Sequence, residues 1–326
     1  MSGLFGWGIA ATGSMARTLG KVIAAEPGMR VAAVASRDKD RAADFARELG
    51  DGTGYGSYAE MVADPAVEAV YVATPHALHR EVVDLAIAAR KPVLCEKPLA
   101  ATLADAEAMV ADARAADVFL MEAMWMWFNP LVRRVKELAD DGTLGEVRSI
   151  HATFGFPMPY DAEHRLWNPE LGGGALLDLG VYPVALAQLL LGAPESIEVA
   201  GALAPSGVDS EAALLLRWPG GPHALLETSL ISQLPMTASV IGTRGRAELD
   251  AFFHCTTRIT VHTYGGRTPQ EFTIDSPEVA LAAEIREVRD RVRDGRLEST
   301  VMPLDATLAI MRTVEEARTR LGATGR

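Results

Sequence analysis

Over its first third the chain alternates short apolar runs with helix-length segments. This alternation constrains the fold more than any other feature. Residues 4–10, 30–36, 69–73, 92–95 and 118–121 read as strands, and residues 15–25, 40–49, 78–89 and 103–116 as helices. Runs apolar throughout belong to strands buried on both faces, which means a parallel sheet covered by helices. Right-handed crossovers then make a doubly wound α/β sheet the economical answer. Ligands bind such sheets outside the C-terminal strand ends, so the residues that follow each strand are the first candidates for function.

The pattern changes after residue 123. A helix at 130–139 precedes a strand at 147–154, and a second helix follows Gly172-Gly173-Gly174. Successive strands are then expected at 197–204, 212–218, 224–231, 237–241, 258–262 and 271–274, separated by turns such as Trp218-Pro219-Gly220-Gly221. Several alternate in polarity, which suits a large, mostly antiparallel open sheet with one face on helices. Helices at 278–293 and 305–321 close the chain. At 326 residues there is room for two domains, expected at 1–123 and 124–326.

The first strand runs into Gly8-Ile9-Ala10-Ala11-Thr12-Gly13-Ser14-Met15-Ala16. Gly6-x-Gly8 lies inside the strand, too early for the turn. In the better register Ala11 and Ala16 replace the first and third glycines of a dinucleotide fingerprint. Gly13 then lets the backbone approach a pyrophosphate on the helix N-terminus. Ala11 fits that turn only if its φ stays negative. An ordinary Gly-containing strand–helix turn would read the same way. The second strand ends in Ser36-Arg37, where an NAD enzyme usually carries Asp or Glu. A hydroxyl and a guanidinium suit a 2′-phosphate, so NADP is preferred over NAD. Against this, Asp38 stands beside Arg37, which could equally begin the polar face of the next helix.

Two further clusters carry chemistry. Cys95-Glu96-Lys97-Pro98 sits at a C-terminal strand end, where a lysine can be held against a substrate or a nicotinamide ribose, although a surface lysine in a turn is the bland alternative. Only five of the 31 basic residues are lysines, which draws attention to Lys97. In the segment 172–182, Asp178 and Tyr182 are four apart and on a helix share one face, a carboxylate and a phenol aimed together. A helix cap and a core-edge tyrosine would look alike. His76 and His79 lack a carboxylate or cysteine partner at a metal-site spacing, so no metal is expected. Trp125, Trp127 and Phe128 form an aromatic cluster, either core or the lining of a small-molecule cleft.

Charge and cysteine content bound the setting. Acidic residues outnumber basic ones 43 to 31, for a net charge of −12. That surface repels phosphate backbones, so no nucleic-acid partner is expected. Cys95 and Cys255 make no disulfide framework, and no signal peptide is read, which points to a cytoplasmic protein. The longest apolar runs are broken by Gly, Asp or Arg, so no membrane partner is expected either.

Taken in order, these motifs resemble the glucose–fructose oxidoreductase/inositol dehydrogenase (Gfo/Idh/MocA) family over nearly the whole chain. The resemblance is nearest to its branch of dimeric dihydrodiol dehydrogenases and NADP-dependent D-xylose 1-dehydrogenases. It rests on residues 7–16, Thr74-Pro75-His76-Ala77-Leu78-His79, Cys95-Glu96-Lys97-Pro98 and residues 172–182. It implies an N-terminal Rossmann domain and a C-terminal α/β domain for substrate binding and oligomerisation. It implies hydride transfer between nicotinamide and a secondary or anomeric hydroxyl of a sugar or cyclic diol, in a homodimer or homotetramer. A catalytically silent NAD(P)-binding regulator, or an NAD-dependent lyase or glycosidase, is the alternative on the same fold.

Carried over residue by residue, the resemblance makes Lys97 the catalytic lysine, Tyr182 the acid/base and Asp178 the substrate-orienting carboxylate. The expected cofactor contacts are Gly8, Ala11, Thr12, Gly13, Ser14, Met15, Ser36, Arg37, Thr74, Pro75, His76, His79, Glu96 and Lys97. The expected substrate contacts are Lys97, Trp127, Arg165, Asp178 and Tyr182. Trp127 stands where relatives in this branch often carry arginine. A phenol with pKa ~10 is a poor base unless a cation favours its phenolate, and Lys97 is that cation.

Overall fold

The computed structural model describes residues 3–266 and 268–324. The chain divides into two compact units, Met1–Met124 with Leu281–Thr307, and Trp125–Ala280 with Leu308–Arg326. The sequence reading placed everything after residue 123 in the second domain. Residues 281–307 instead pack with the first unit, where the Leu120 N–H donates to the Leu297 carbonyl at 3.3 Å and Arg114 pairs with Glu298 at 2.8 Å.

The first unit holds six parallel strands: β1 (Phe5–Ala10), β2 (Met29–Ala35), β3 (Thr53–Tyr55), β4 (Ala69–Val72), β5 (Val93–Glu96) and β6 (Leu120–Ala123). Their order is β3-β2-β1-β4-β5-β6, so the direction of winding reverses between β1 and β4. That is the switch point of a doubly wound sheet, and it sets the loops after β1 and β4 side by side. The helices between the strands are α1 (Ser14–Ala25), α2 (Lys39–Leu49), α3 (Tyr58–Ala63), α4 (His79–Ala88) and α5 (Leu103–Ala115). Asp38, Ser57 and Thr102 cap α2, α3 and α5 by accepting a backbone N–H three residues on. The short β3 and α3 have no counterpart in the sequence reading, because three and six residues are too few to show a period. Gly6 and Gly8 are packing residues of β1: a Cβ on Gly6 would lie 2.1 Å from the Ala66 carbonyl oxygen.

The second unit is built on an eight-stranded sheet in the order β14-β13-β12-β11-β7-β10-β9-β8. Its strands are β7 (Val147–Gly155), β8 (Ser196–Leu203), β9 (Asp209–Arg217), β10 (His223–Ser229), β11 (Ala238–Gly242), β12 (Gly245–Leu249), β13 (Arg258–Thr263) and β14 (Gln270–Thr273). All neighbours are antiparallel except β7 and β10. Helix α6 (Pro130–Asp140) is capped by Asn129, whose side chain accepts from the Leu131 and Val132 N–H groups. Helix α7 (Val181–Leu191) is buried from Val181 to Gln188, as an all-round apolar helix must be. Helices α8 (Glu278–Arg293) and α9 (Leu304–Leu321) end the chain. Contrary to the sequence reading, the stretch Pro169–Leu191 has the length and apolarity of a membrane span despite Asp178; 83% of its most apolar window is buried inside the protein.

Candidate active site

The turn after β1 leads directly into α1. Gly13 stands at the N-cap with φ −74° and ψ −175°, and no side chain caps the helix. The first N–H groups of α1 are therefore left to an anion. A Cβ built on Gly13 meets nothing within 4 Å. At the neighbouring strand end the Thr74 hydroxyl is buried and has no hydrogen-bond partner among the described residues. An open backbone cradle and an orphaned hydroxyl fit a dinucleotide pyrophosphate. Ala11 departs from the expectation. Its φ is +104°, not negative, so an alanine occupies a backbone region that favours glycine. The turn holds it there, because the Ala11 N–H is bonded to the Ala35 carbonyl at 2.9 Å.

At the end of β2 the Ser36 hydroxyl donates to the Asp38 carbonyl at 2.6 Å and accepts the Asp38 N–H. Asp38, whose carboxylate weighed against a 2′-phosphate, spends it on the Arg41 N–H at the start of α2. Arg37 is exposed. A cavity of about 340 Å³ beside this turn is lined by Thr12, Arg17, Asp38, Arg41 and Phe45 among others. Arg17 lies 4.7 Å over the Phe45 ring and pairs with Glu48.

Lys97 follows β5 and is joined to Pro98 by a cis peptide bond. The loop is held from several sides. The Lys97 N–H donates to Glu96 Oε2 at 3.3 Å, and the Leu99 N–H to Glu122 Oε1 at 3.0 Å. His79 is fully buried, with Nε2 2.9 Å from the Thr74 carbonyl and Nδ1 3.1 and 3.2 Å from the Pro98 and Leu99 carbonyls. Burial lowers the His79 pKa. Both its ring nitrogens face backbone carbonyls, so this residue ties the Thr74-Pro75 turn to the lysine loop, a role the sequence did not show. His76 meets it edge-on at 5.7 Å.

In the second unit Tyr182 opens α7 after one π-helical turn, Leu176–Gly180, that contains Asp178. The sequence reading took a helix here, with Asp178 and Tyr182 on one face. The wider turn comes instead, of a kind frequent at functional sites. Gly174 makes it possible, with φ +116° and a Cβ position only 2.4 Å from Asp209 Oδ1. Asp209 Oδ2 in turn accepts the Leu176 N–H at 2.6 Å. Burial raises the Asp209 pKa, and that N–H opposes the rise.

Asp178 is 6% exposed and pairs with Arg165 at 3.0 Å. The Trp125 indole N–H donates to the Tyr182 hydroxyl at 2.9 Å. The Tyr182 ring lies 4.6 Å from His254, which stacks on Phe154 at the same distance. Trp127 is buried and donates its indole N–H to the Ala185 carbonyl at 3.2 Å. The sequence singled out Trp127 but not Phe154 or His254. They sit on β7 and in the turn before β13, and no spacing in the sequence links them to Tyr182.

An indole N–H only donates, so the Tyr182 oxygen must accept. A phenol oxygen both donates and accepts, so it can still bond a ligand hydroxyl while it accepts the Trp125 N–H. With the dinucleotide cradle at the switch point, these features define a nicotinamide-dependent oxidoreductase. Residues 5–124 match the model of the Gfo/Idh/MocA oxidoreductase family with its NAD-binding Rossmann fold. Residues 132–248 match that of the GFO/IDH/MocA C-terminal domain. The chain belongs to the Gfo/Idh/MocA family.

Among curated proteins, trans-1,2-dihydrobenzene-1,2-diol dehydrogenase of Mus musculus is 38% identical over 98% of this chain and 97% of its own length. The enzyme of that name from Homo sapiens is 36% identical over the same shares. Among solved structures, a 3-ketoreductase from Actinomadura kijaniata, crystallised with NADP and TDP-benzene, is 30% identical with a TM-score of 0.85 over 98% of both chains. An aldose-aldose oxidoreductase from Caulobacter crescentus is 26% identical with a TM-score of 0.88 over 97% of both.

Proposed function

We propose that this dehydrogenase moves hydride between NAD(P) and a secondary or anomeric hydroxyl of a sugar or cyclic diol. The carrying observation is Tyr182, a nearly buried phenol among aromatic rings whose oxygen accepts the Trp125 N–H. Relatives named for diol, aldose and ketone chemistry support the substrate class. A bound nicotinamide supplies the hydride acceptor or donor. Tyr182 takes the proton of the substrate hydroxyl in the oxidative direction and returns it in the reductive one. Asp178, fixed by Arg165, orients the hydroxyl, and Lys97 is the cation of the reaction. The flat Phe154 and His254 rings around Tyr182 suit a ring substrate.

NADP is the preferred cofactor in this reading. Asp38 is committed to capping α2, which leaves Arg37 to meet a 2′-phosphate. Arg37→Ala should raise the Michaelis constant for NADP far more than that for NAD. The protein also works as a homodimer or homotetramer in the cytoplasm. Support comes from the outer face of β8–β10, where Ala200, Ala213, Leu215 and Leu225 lie across paired strands and Leu225 is 47% exposed. A monomer mass by light scattering at micromolar protein would contradict the assembly.

The deciding experiment screens aldoses, inositols and cyclic diols with both cofactors, read at the NADPH absorbance. On the best substrate, Tyr182→Phe should lower turnover by roughly 10²–10⁴-fold with cofactor affinity little changed. Lys97→Met should do at least comparable harm. Near-normal turnover of Tyr182→Phe would move the base elsewhere.

A further inference from the structure

Three carboxyl groups gather beside the lysine loop of the first unit. Glu96 ends β5, Glu122 lies in β6 paired with Cys95, and Glu284 comes from α8. Glu122 is 0% exposed and Glu284 1%. Glu122 Oε1 takes the Leu99 N–H; the Thr307 hydroxyl faces Glu122 but falls short of hydrogen-bond geometry, and Glu122 Oε2 and Glu284 Oε1 have no hydrogen-bond partner among the described residues. Glu96 accepts from the Tyr71 hydroxyl and from the Lys97 N–H. Burying an acid inside a parallel sheet is costly. A glutamine at 122 would satisfy Leu99 equally well without that cost. What a glutamine could not supply is a charge for Lys97.

We propose that Glu122 is a positioning residue of the dehydrogenase: its carboxylate fixes the 97–99 loop through the Leu99 N–H and gives Lys97 a buried counter-charge, so the reaction slows when Glu122 takes a proton. This rests on the reading of Lys97 as the cation of the reaction. The groups that face Glu122 are known from each neighbouring element. They are Cys95 and Glu96 on β5, Lys97 in the loop, Glu284 on α8 and Thr307 on α9. Burial pushes the Glu122 pKa up to about 7, against the Thr307 hydroxyl, the Leu99 N–H and Lys97, which favour the charged form. Burial pushes the Glu284 pKa well above the ordinary carboxyl range, reinforced by Glu96 and Glu122. Burial likewise pushes the Cys95 thiol pKa up. Glu122 is thus a fully buried acid whose charge changes near neutrality.

The test is the pH profile of turnover of the holoenzyme between about pH 5 and 9, with substrate and cofactor saturating. The wild type should lose rate toward acid through a step near pH 7. Glu122→Gln keeps the acceptor for Leu99 but has no proton to take. It should lose that step and run about tenfold or more slower on the alkaline plateau, with an unchanged cofactor dissociation constant. Thr307→Val, which removes an influence favouring the charged form, should move the step up by roughly half a unit or more, and it remains decisive should Glu122→Gln not fold. A wild-type profile in Glu122→Gln, or an unmoved step in Thr307→Val, overturns the proposal. Lys97→Met separates the two readings. If it turns over normally, the role of Lys97 fails and this inference falls with it; if it is inactive while the Glu122→Gln profile matches wild type, only the present inference fails.

Discussion

Gly13→Ala should separate cofactor binding from folding. The backbone at Gly13 has φ −74° and ψ −175°, which alanine adopts without strain, and a Cβ there meets no atom within 4 Å. Two small terms act on stability. Replacing glycine at a compatible φ stabilises by about 0.4–1 kcal/mol through the unfolded chain. Losing glycine from an N-cap, where alanine is poorly tolerated, costs a similar amount. They nearly cancel, so the unfolding free energy of the cofactor-free protein should stay within about 1 kcal/mol of wild type. The methyl group, however, fills the space through which the backbone approaches a pyrophosphate. A loss of roughly 1.4 kcal/mol or more is expected, which is tenfold in the dissociation constant. Calorimetric titration with NADP and NAD, beside thermal unfolding without cofactor, measures both numbers. An unchanged dissociation constant would show that Gly13 does not lie against the dinucleotide. A collapse of the unfolding midpoint would show that the space around Gly13 is filled by protein.

Ala11→Gly should stabilise the cofactor-free protein by about 1 kcal/mol, because it relieves the φ of +104°; a lower unfolding midpoint would refute the strain. Gly174→Ala should cost about 2 kcal/mol or more, since its Cβ would lie 2.4 Å from Asp209 Oδ1 at a positive φ. Urea unfolding measures that cost, and turnover should fall as the Asp178 turn is displaced. Glu122 also makes stability depend on pH. Its carboxyl holds a proton up to about 7 in the folded chain against 4.5 ordinarily, so the folded state binds more protons between those values and stability falls as pH rises through that window. The upper bound is roughly 3 kcal/mol. Glu122→Gln should flatten the curve, and an unchanged slope between pH 4.5 and 7 would contradict the assignment.

Most of the first unit was legible because β1, β2, β4 and β5 are largely apolar and α1, α2, α4 and α5 run ten residues or more. β12 was missed because Arg246 and Glu248 alternate with Gly245 and Ala247 and leave little apolar signal. The residues proposed to carry the chemistry stood out by type and place: Lys97 after a strand, Asp178 and Tyr182 after a glycine run. Their supports did not. Glu122 stood just beyond the strand read at 118–121, and His79 read as a ring near the cofactor. Both act through partners more than 15 residues away, His79 at Pro98 and Leu99, Glu122 at Leu99. Long-range hydrogen bonds leave no period in a sequence. The backbone at Ala11 was invisible for another reason. Only the observed φ shows that an alanine has been forced into a conformation that glycine would take freely.

The first unit is discontinuous, and this fixes an order of events during synthesis. Residues 1–124 emerge from the ribosome first, but Leu297, whose carbonyl accepts the Leu120 N–H at the β6 edge, comes far later. Until then β6 is a bare strand edge, the kind of surface on which nascent chains associate wrongly. Glu284 also arrives late, so the acid cluster beside Lys97 stays incomplete until the whole second sheet has been made. A fragment ending at residue 124 should therefore be a poor stand-alone nucleotide-binding module. Grafting residues 281–307 onto it through a short linker should be the more soluble choice.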